Sequence, residues 1–237
     1  MIEDYIKELK PIIIKLFKNE SSGHDINHLT RTMNNALYLQ TIEGGDRIII
    51  GISAFLHDIH RIMENESGIY VSPHDSIPKV KEILSNIDLS DGQIDSICYA
   101  IENHELYNWN GYNVSDINTL ILQDADNLDA IGAIGIGRSF SFGGAHHQLM
   151  YDESIPLNEN YDYSEETGND PSTIHHFYHK LFKLGNNMNT KTAKLLASKR
   201  ISFMESFVEE FLNEWNANYS DKQMIRQKYK DFQNKRG

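Results

Sequence analysis

The chain of 237 residues is 40% hydrophobic and 24% charged, so it can bury one substantial core and has an ordinary globular composition. Its formal net charge of -12 argues against broad binding to nucleic acid polymers or to an anionic membrane, although a bound cation would still admit a small phosphorylated substrate. Cys98 is the single cysteine, which excludes a disulfide within the chain, and without a secretion signal or membrane-length apolar run the sequence predicts a cytoplasmic protein.

Apolar residues recur at helical spacing from Ile26 through Leu29, Met33 and Leu37, which places them on one helix face. The next segment, 48–59, is apolar almost all round and predicts a helix buried at the centre of the fold. Further helical stripes follow in chain order at 76–84, after the turn at 91–92, at 116–131, at 174–188 and at 193–215. No alternating strand pattern is visible, so the sequence predicts an all-α helical bundle.

The domain prediction is a single helical domain over residues 1–237, with its core at about 20–215. Residues 139–171 are rich in Ser, Gly, Tyr and acidic residues, with Pro156 and Pro171 as breaks, and they predict one long irregular loop that could cover the site. Residues 216–237 predict a peripheral C-terminal helix rich in Lys, Arg and Gln. The sequence leaves a homodimer open.

Four potential metal ligands fall in the predicted helices, namely His28, the adjacent pair His57-Asp58, and Asp126. His28 follows Asp25, a good N-cap residue, by three positions, so a packing or capping role is its simpler interpretation. The other three lie in apolar surroundings, where a buried charge is costly unless it is paired or bound to metal. Two imidazoles and two carboxylates suit Mn²⁺, Mg²⁺, Co²⁺, Fe²⁺ or Zn²⁺ and leave positions for water and substrate.

The stretches around these ligands resemble the three motifs of the HD phosphohydrolase superfamily. They read GHDINHLTR at 23–31, FLHDI at 55–59 and LQDADNLD at 122–129. Two later segments, DAIGAIGIGR at 129–138 and HHFYHKL at 175–181, resemble the branch of small bacterial HD proteins typified by the YpgQ/YedJ-like nucleotide pyrophosphohydrolases. The similarity runs from about residue 20 to about residue 215.

The resemblance implies one divalent metal ion (Mn²⁺, Mg²⁺ or Co²⁺, with Fe or Zn as alternatives) held by His28, His57, Asp58 and Asp126. Asp58 is also assigned a catalytic role. The implied chemistry is attack on phosphorus by a metal-activated water, without a covalent enzyme intermediate.

The position three residues after Asp58 departs from the family pattern. Single-metal HD proteins often have an acidic general base there, whereas this chain has Arg61. Their mechanism therefore does not transfer directly. Glu64 and Glu66 are nearby candidates for a base, but their spacing does not distinguish them from surface charges.

Two further aspartates are predicted to support the ligands. Asp25 could orient His28 as well as cap its helix, and Asp129, one turn from Asp126, could hold a ligand or a water in place. An exposed carboxylate is an equally good interpretation of Asp129. Asp124 is predicted to be solvated.

Five basic or imidazole side chains are candidate substrate contacts. Arg138 follows a glycine-punctuated segment, and Lys180 lies one helical turn from His176, so these groups could face a phosphate chain. The resemblance favours phosphate contacts for His74 and His104 as well. The simpler interpretations are solvated basic side chains, a capping His74 and a hydrogen-bonded core His104.

The leading functional hypothesis is a nucleoside triphosphate pyrophosphohydrolase, with a small phosphorylated nucleotide as its partner and with no nucleic acid polymer or membrane. The alternatives are a phosphomonoesterase or cyclic-nucleotide phosphodiesterase on the same centre, and a non-catalytic nucleotide-sensing protein, to which Arg61 gives weight. A diiron oxygenase is a fourth hypothesis, because His74 and His104 could recruit a second iron.

Overall fold

A computed structural model describes residues 1–18, 23–157 and 170–218 of the chain. Within these ranges the only β pairing is an isolated bridge between Leu149 and Ser172, which confirms the all-α prediction. The helices are α1 (Ile2–Leu16), α2 (Ile26–Glu43), α3 (Arg47–Leu56), α4 (Ile59–Ser67), α5 (Pro73–Leu84), α6 (Asp91–Asn103), α7 (Ile117–Asp129), α8 (Gly132–Ala145), α9 (Thr173–His176), the π-helical turn Phe177–Leu181, α10 (Phe182–Asn186) and α11 (Lys191–Trp215). No helix in the described part of the chain is long and apolar enough to cross a membrane.

Short polar residues start several of the helices by accepting hydrogen bonds from otherwise unpaired backbone N–H groups. At the start of α2, the Asp25 carboxylate accepts a hydrogen bond of 2.8 Å from the His28 N–H. Ser72 and Ser90 begin α5 and α6 with reciprocal capping boxes. These caps fix where the helices start, and the cap of α2 places His28 in the first turn.

Helix α3 is the central element, and every residue from Ile49 to Leu56 is buried, as the apolar segment predicted. One hydrophobic cluster joins it to α1, α5 and α6, and a second joins it to α2, α7 and α11. Burying one Ile or Leu side chain contributes about 2 kcal/mol, so this shared core is the main support of the bundle. Because α2 packs against both α3 and α7, the segments that bear the predicted ligands are neighbours.

The chain turns at His57 and Asp58, whereas the apolar pattern predicted one helix through Ile59. Helix α3 ends at Leu56, and Asp58 occupies the N-cap position of the unpredicted helix α4. The Asp58 carboxylate makes no capping hydrogen bond to α4 and instead contacts histidines of another segment. Contacts between distant segments, which local periodicity does not encode, therefore determine the position of this turn.

The predicted loop over 139–171 is wrong at its beginning, because α8 continues to Ala145. The ring of Phe140 packs against Phe177, Phe207 and Phe211, with centroids about 6 Å apart, and this contact stabilises a helix of poor local composition. Residues 158–169 of that prediction lie outside the described residues. The predicted C-terminal helix lies there as well, except for residues 216–218, which follow the end of α11.

The prediction that Asp124 is solvated is wrong, since its side chain is fully buried. Its carboxylate accepts hydrogen bonds from the backbone N–H groups of Asn189 (2.7 Å) and Thr190 (2.8 Å). These donors lie 65 and 66 residues further along the chain. Asp124 therefore fastens α7 to the start of α11.

Asp124→Asn should lower the free energy of unfolding by about 2 kcal/mol, because the amide presents an N–H₂ donor to backbone donors and leaves a buried N–H without an acceptor. Urea unfolding followed by circular dichroism measures this change. The exposed Asp88→Asn is the matched control and should stay within about 0.5 kcal/mol of the wild type. Equal effects of the two substitutions would contradict the fastening role.

Candidate metal centre

The structure brings the four predicted ligands together at one point. His28 comes from the first turn of α2, His57 and Asp58 from the turn between α3 and α4, and Asp126 from α7. The His28 Nε2 atom lies 3.2 Å from His57 Nε2, 3.2 Å from Asp58 Oδ2 and 3.4 Å from Asp126 Oδ1. The His57 Nε2 atom lies 3.5 and 3.6 Å from the same two carboxylate oxygens.

These separations fit four atoms around a common cation. Ligands at about 2.1–2.2 Å from an ion are about 3.0–3.1 Å from each other in octahedral geometry and about 3.4–3.6 Å in tetrahedral geometry. The histidine rings are completely buried and Asp58 nearly so, whereas 24% of the Asp126 side chain is exposed. The centre therefore opens to solvent on the side of Asp126, which is where a substrate can approach.

The protonation of the two rings also favours a cation. The His57 Nδ1–H donates to the carbonyl oxygen of Ala54 (2.9 Å), which can only accept, and the His28 Nδ1–H donates to Asp129 (2.7 Å). If both rings are neutral, their Nε2 atoms carry lone pairs directed at each other and at two carboxylates. Four acceptors with no donor among them are stabilised by a metal ion.

The pKa shifts of the clustered histidines and carboxylates also favour a bound cation. Burial alone would lower the pKa of His57, but the charges of Asp58 and Asp126 outweigh it and raise that pKa to about 9. Burial opposes ionisation of both carboxylates, yet the neighbouring histidines hold the pKa of Asp58 and of Asp126 below its usual range. The centre is thus stabilised by positive charge. In the ion-free protein, bound protons provide this charge, and a divalent ion can take their place and release them.

Asp129 supports His28 from behind. Its buried carboxylate accepts the His28 Nδ1–H, two hydrogen bonds from Arg31 (2.8 and 2.9 Å) and one from Arg138 Nη1 (3.0 Å). Although burial raises the pKa of Asp129, these donors lower it to about 2, so the group stays ionised. Of the two interpretations open from the sequence, an exposed carboxylate is excluded because Asp129 is buried, and its hydrogen bond to His28 Nδ1 can fix the ring and tautomer of this predicted ligand.

His24 is a residue of the centre that the sequence did not single out. Its Nδ1 atom lies 2.8 Å from Asp58 Oδ2, and 32% of its side chain is exposed. It could serve as an additional ligand, because its ring, His28 and Asp58 offer ligand atoms within 4.8 Å of one another. Its proximity to Asp58 depends on the turn after α3, so no local signal marked it.

A second group of imidazoles lies behind His57. The buried ring of His104 is 5.3 Å from the ring of His57, and the Nδ1 atom of the buried His60 donates to the His57 carbonyl oxygen (3.1 Å). Glu105 follows His104 and places its Oε1 atom 3.5 Å from His60 Nε2. His104 therefore adjoins the ligands as a core residue, its own Nδ1 atom donating to the carbonyl oxygen of Ile101 (2.6 Å).

The position that is acidic in some relatives is paired with a carboxylate here. Arg61 donates to Glu105 Oε1 (2.6 Å) and to Glu64 (3.3 Å). Burial raises the pKa of Glu105, but the nearby imidazole of His60 and the charges of His104 and Arg61 lower it to about 2. Glu64 is thus engaged by Arg61, and Glu66 is an exposed side chain of α4.

Three of the five candidate substrate contacts do not join the ligand cluster among the described residues. His74 is exposed and pairs with Glu102 (2.6 Å), and His176 pairs with Asp170 (2.6 Å). Lys180 is exposed on the π-helical turn. Arg138 and His104, in contrast, lie close to predicted ligands. Arg138 is linked to His28 through Asp129, and the His104 ring lies directly beside the His57 ring.

Two arginines that the sequence analysis did not select line a cavity of about 380 Å³ beside Asp129. Arg31 and Arg200 are in its wall together with Asn35, and Arg200 also donates to the carbonyl oxygen of Leu128. This cavity brings positive charge close to the centre in a chain that is acidic overall. An anionic group could be accommodated there.

An all-helical core that collects two imidazoles and two carboxylates is a candidate divalent-metal centre of the kind that metal-dependent hydrolases use. Residues 25–131 match the family model of the HD domain. An HD-superfamily hydrolase from Bacillus thuringiensis is 32% identical, with 92% of this chain and 100% of that chain covered and a TM-score of 0.69. The chain belongs to the HD superfamily.

Among its relatives, the chain is similar to YpgQ of Bacillus subtilis, an uncharacterised protein. The two are 29% identical over 206 residues, which cover 86% of this chain and 90% of YpgQ. The crystal structure of YpgQ in complex with ADP aligns with a TM-score of 0.66 at 29% identity, over 87% of this chain and 96% of that chain. A Lactobacillus plantarum protein of known structure is 31% identical, covers 92% of this chain and 100% of its own, and has a TM-score of 0.74.

Proposed function

We propose that the protein is a metal-dependent phosphohydrolase that cleaves nucleoside triphosphates to the monophosphate and pyrophosphate. The observation that carries the proposal is the convergence of His28, His57, Asp58 and Asp126. The Nε2 atoms of the two histidines lie 3.2 Å apart, and each lies within 3.2–3.6 Å of one oxygen of each carboxylate. The complex of the relative YpgQ with ADP supports a nucleotide as the substrate class. The cavity beside Asp129 supports an anionic substrate.

The four ligands hold the ion, for which Mn²⁺, Mg²⁺ and Co²⁺ are our first candidates. A divalent ion bound there supplies a Lewis acid for a phosphoryl oxygen and a water of lowered pKa. Asp58 is the proposed catalytic carboxylate, because its Oδ2 atom accepts a hydrogen bond from His24 Nδ1 (2.8 Å). The partly exposed His24 beside it is placed to carry a proton between the centre and solvent.

Arg138 is the best placed of the proposed phosphate contacts. One of its N–H groups holds Asp129, and the rest of the guanidinium fork is assigned to the phosphate chain. Lys180 remains a proposed contact as well. His74 and His176 each pair with a carboxylate that a substrate would have to displace, and the buried His104 supports His57 better than it contacts a substrate.

The test is incubation with nucleoside di- and triphosphates in Mg²⁺, Mn²⁺ or Co²⁺, with phosphate and pyrophosphate quantified separately by phosphorus NMR. The proposal predicts equal amounts of monophosphate and pyrophosphate from a triphosphate. Inorganic phosphate alone would identify a phosphomonoesterase, and ring opening of a cyclic nucleotide would identify a phosphodiesterase. Either result would overturn the pyrophosphohydrolase assignment.

A non-catalytic nucleotide sensor is the second candidate, favoured by Arg61 at the position where single-metal relatives have a base. Because position 61 holds an arginine, no acidic group there can take the proton of an attacking water. The Arg61 guanidinium is instead paired with Glu105. Tight nucleotide binding without turnover in all three metals would favour the sensor. Two irons per chain at the centre would instead favour the oxygenase hypothesis.

A further inference from the structure

Asp170, His176 and His179 form a second cluster of metal-ligand type, which we call the Asp170 cluster. The Asp170 carboxylate lies between the two rings, with Oδ2 at 2.6 Å from His176 Nδ1 and Oδ1 at 2.8 Å from His179 Nδ1. The three side chains offer ligand atoms within 4.8 Å of one another. None of them belongs to the metal centre formed by α2, α3 and α7.

The backbone holds these three side chains in position. His176 ends α9 and His179 lies three residues later in the π-helical turn, and an i, i+3 pair of ligands on one helix is a common device in helical metal proteins. Asp170 is fixed by a hydrogen bond of 2.6 Å from Gln148 Nε2 to its carbonyl oxygen. Because all three ligands fall within ten residues, bringing them together costs little chain entropy.

The composition of the Asp170 cluster differs from that of the metal centre. It has one carboxylate and two imidazoles, hence a formal charge of −1 with neutral rings, and all three side chains are only partly exposed. Two nitrogen ligands and one oxygen ligand suit Zn²⁺, Co²⁺ or Ni²⁺ and leave a fourth position for water. Mg²⁺ and Ca²⁺ prefer oxygen ligands and are disfavoured.

We propose that Asp170, His176 and His179 form a second divalent-metal site, separate from the metal centre and selective for Zn²⁺ and similar nitrogen-preferring ions. Each ring uses the nitrogen that now faces Asp170. A tetrahedral ion bound to both nitrogens and to a carboxylate oxygen needs ligand separations of about 3.3–3.6 Å in place of the present hydrogen bonds. Rotation of the partly exposed side chains provides this widening. The bound ion fastens residue 170 to the helical segment that starts at Thr173.

The test is the stoichiometry of Zn²⁺ on the metal-stripped full chain, measured by calorimetric titration and by elemental analysis after dialysis. The wild type should bind two Zn²⁺ ions per chain. His179→Ala and Asp170→Asn should each bind one, because two remaining ligands do not retain the ion. The double variant His146→Ala/His147→Ala removes a histidine pair from the neighbouring loop, and it should still bind two.

A spectroscopic measurement assigns the second ion to its site. In Asp58→Ala, which lacks a ligand of the metal centre, Co²⁺ should still give the visible absorption of a low-coordinate site, and adding His179→Ala should remove it. If Asp58→Ala does not fold, His57→Gln replaces it. The same Zn²⁺ stoichiometry in His179→Ala as in the wild type, or Co²⁺ absorption that persists in Asp58→Ala/His179→Ala, would overturn the second site. Neither result depends on nucleotide hydrolysis, so failure of this proposal leaves the proposed function untouched.

Discussion

Asp58→Ala should lose the metal ion and turnover together. The Asp58 Oδ2 atom lies 3.2 Å from His28 Nε2 and 3.5 Å from His57 Nε2, and it is the partner of His24. Loss of a residue that merely orients a ligand costs about 10–100-fold in metal affinity, so loss of a ligand should cost more than about 100-fold. Metal content by elemental analysis and the rate of nucleotide hydrolysis measure both effects.

The fold of this variant should survive, because Asp58 makes no capping hydrogen bond to α4. Circular dichroism and the urea midpoint check this point. Glu66→Ala is the matched control on α4, since it removes an exposed carboxylate that the sequence offered as a base, and it should keep both metal and rate. A well-folded Asp58→Ala protein that retains metal and turnover would reject the metal centre.

Asp129→Asn should weaken metal binding by about 10–100-fold without abolishing it. The amide keeps an acceptor for one donor, but it loses the charge that fixes the His28 tautomer and neutralises Arg31 and Arg138. Turnover should fall at low metal concentration and recover when Mn²⁺ is raised. Calorimetric titration with Mn²⁺ and the metal dependence of the rate measure the two effects.

Asp25→Ser is the control for this second prediction. Serine keeps an N-cap oxygen for the His28 backbone N–H, so the position of α2 and the metal affinity should both be preserved. An unchanged affinity in Asp129→Asn would show that Asp129 does not support His28. A loss of rate that excess metal does not restore would instead point to a direct role in the reaction.

The sequence predicted the helical fold because it depends on local apolar pattern, and the resemblance of three short motifs to the HD superfamily selected the four predicted ligands that the structure brings together. Apolar spacing marked α2, α3 and α7, and an His-Asp pair in an apolar segment is costly without a partner. The same apolar pattern continues to Ile59, so the sequence predicted one helix where the structure has a turn at His57 and Asp58. That turn depends on contacts with His24 and His28, which local pattern does not contain.

The remaining errors and omissions involve partners far apart in the chain. The sequence predicts Asp124 to be a surface residue. In the structure it is buried because Asn189, 65 residues further along and just before α11, supplies a hydrogen-bond donor. Glu105 reaches Arg61 over 44 residues, and Asp129 reaches Arg31 over 98. Pairings of this kind arise from packing of whole helices, and neither propensity nor spacing within one segment predicts them.

The position of the ion is the most direct test of the centre. Crystals equilibrated with Mn²⁺ and measured near the manganese absorption edge should give an anomalous difference peak at about 2.1–2.3 Å from His28 Nε2, His57 Nε2 and one oxygen each of Asp58 and Asp126. No peak among these four atoms at saturating Mn²⁺, or a peak only at other residues, would contradict the metal centre.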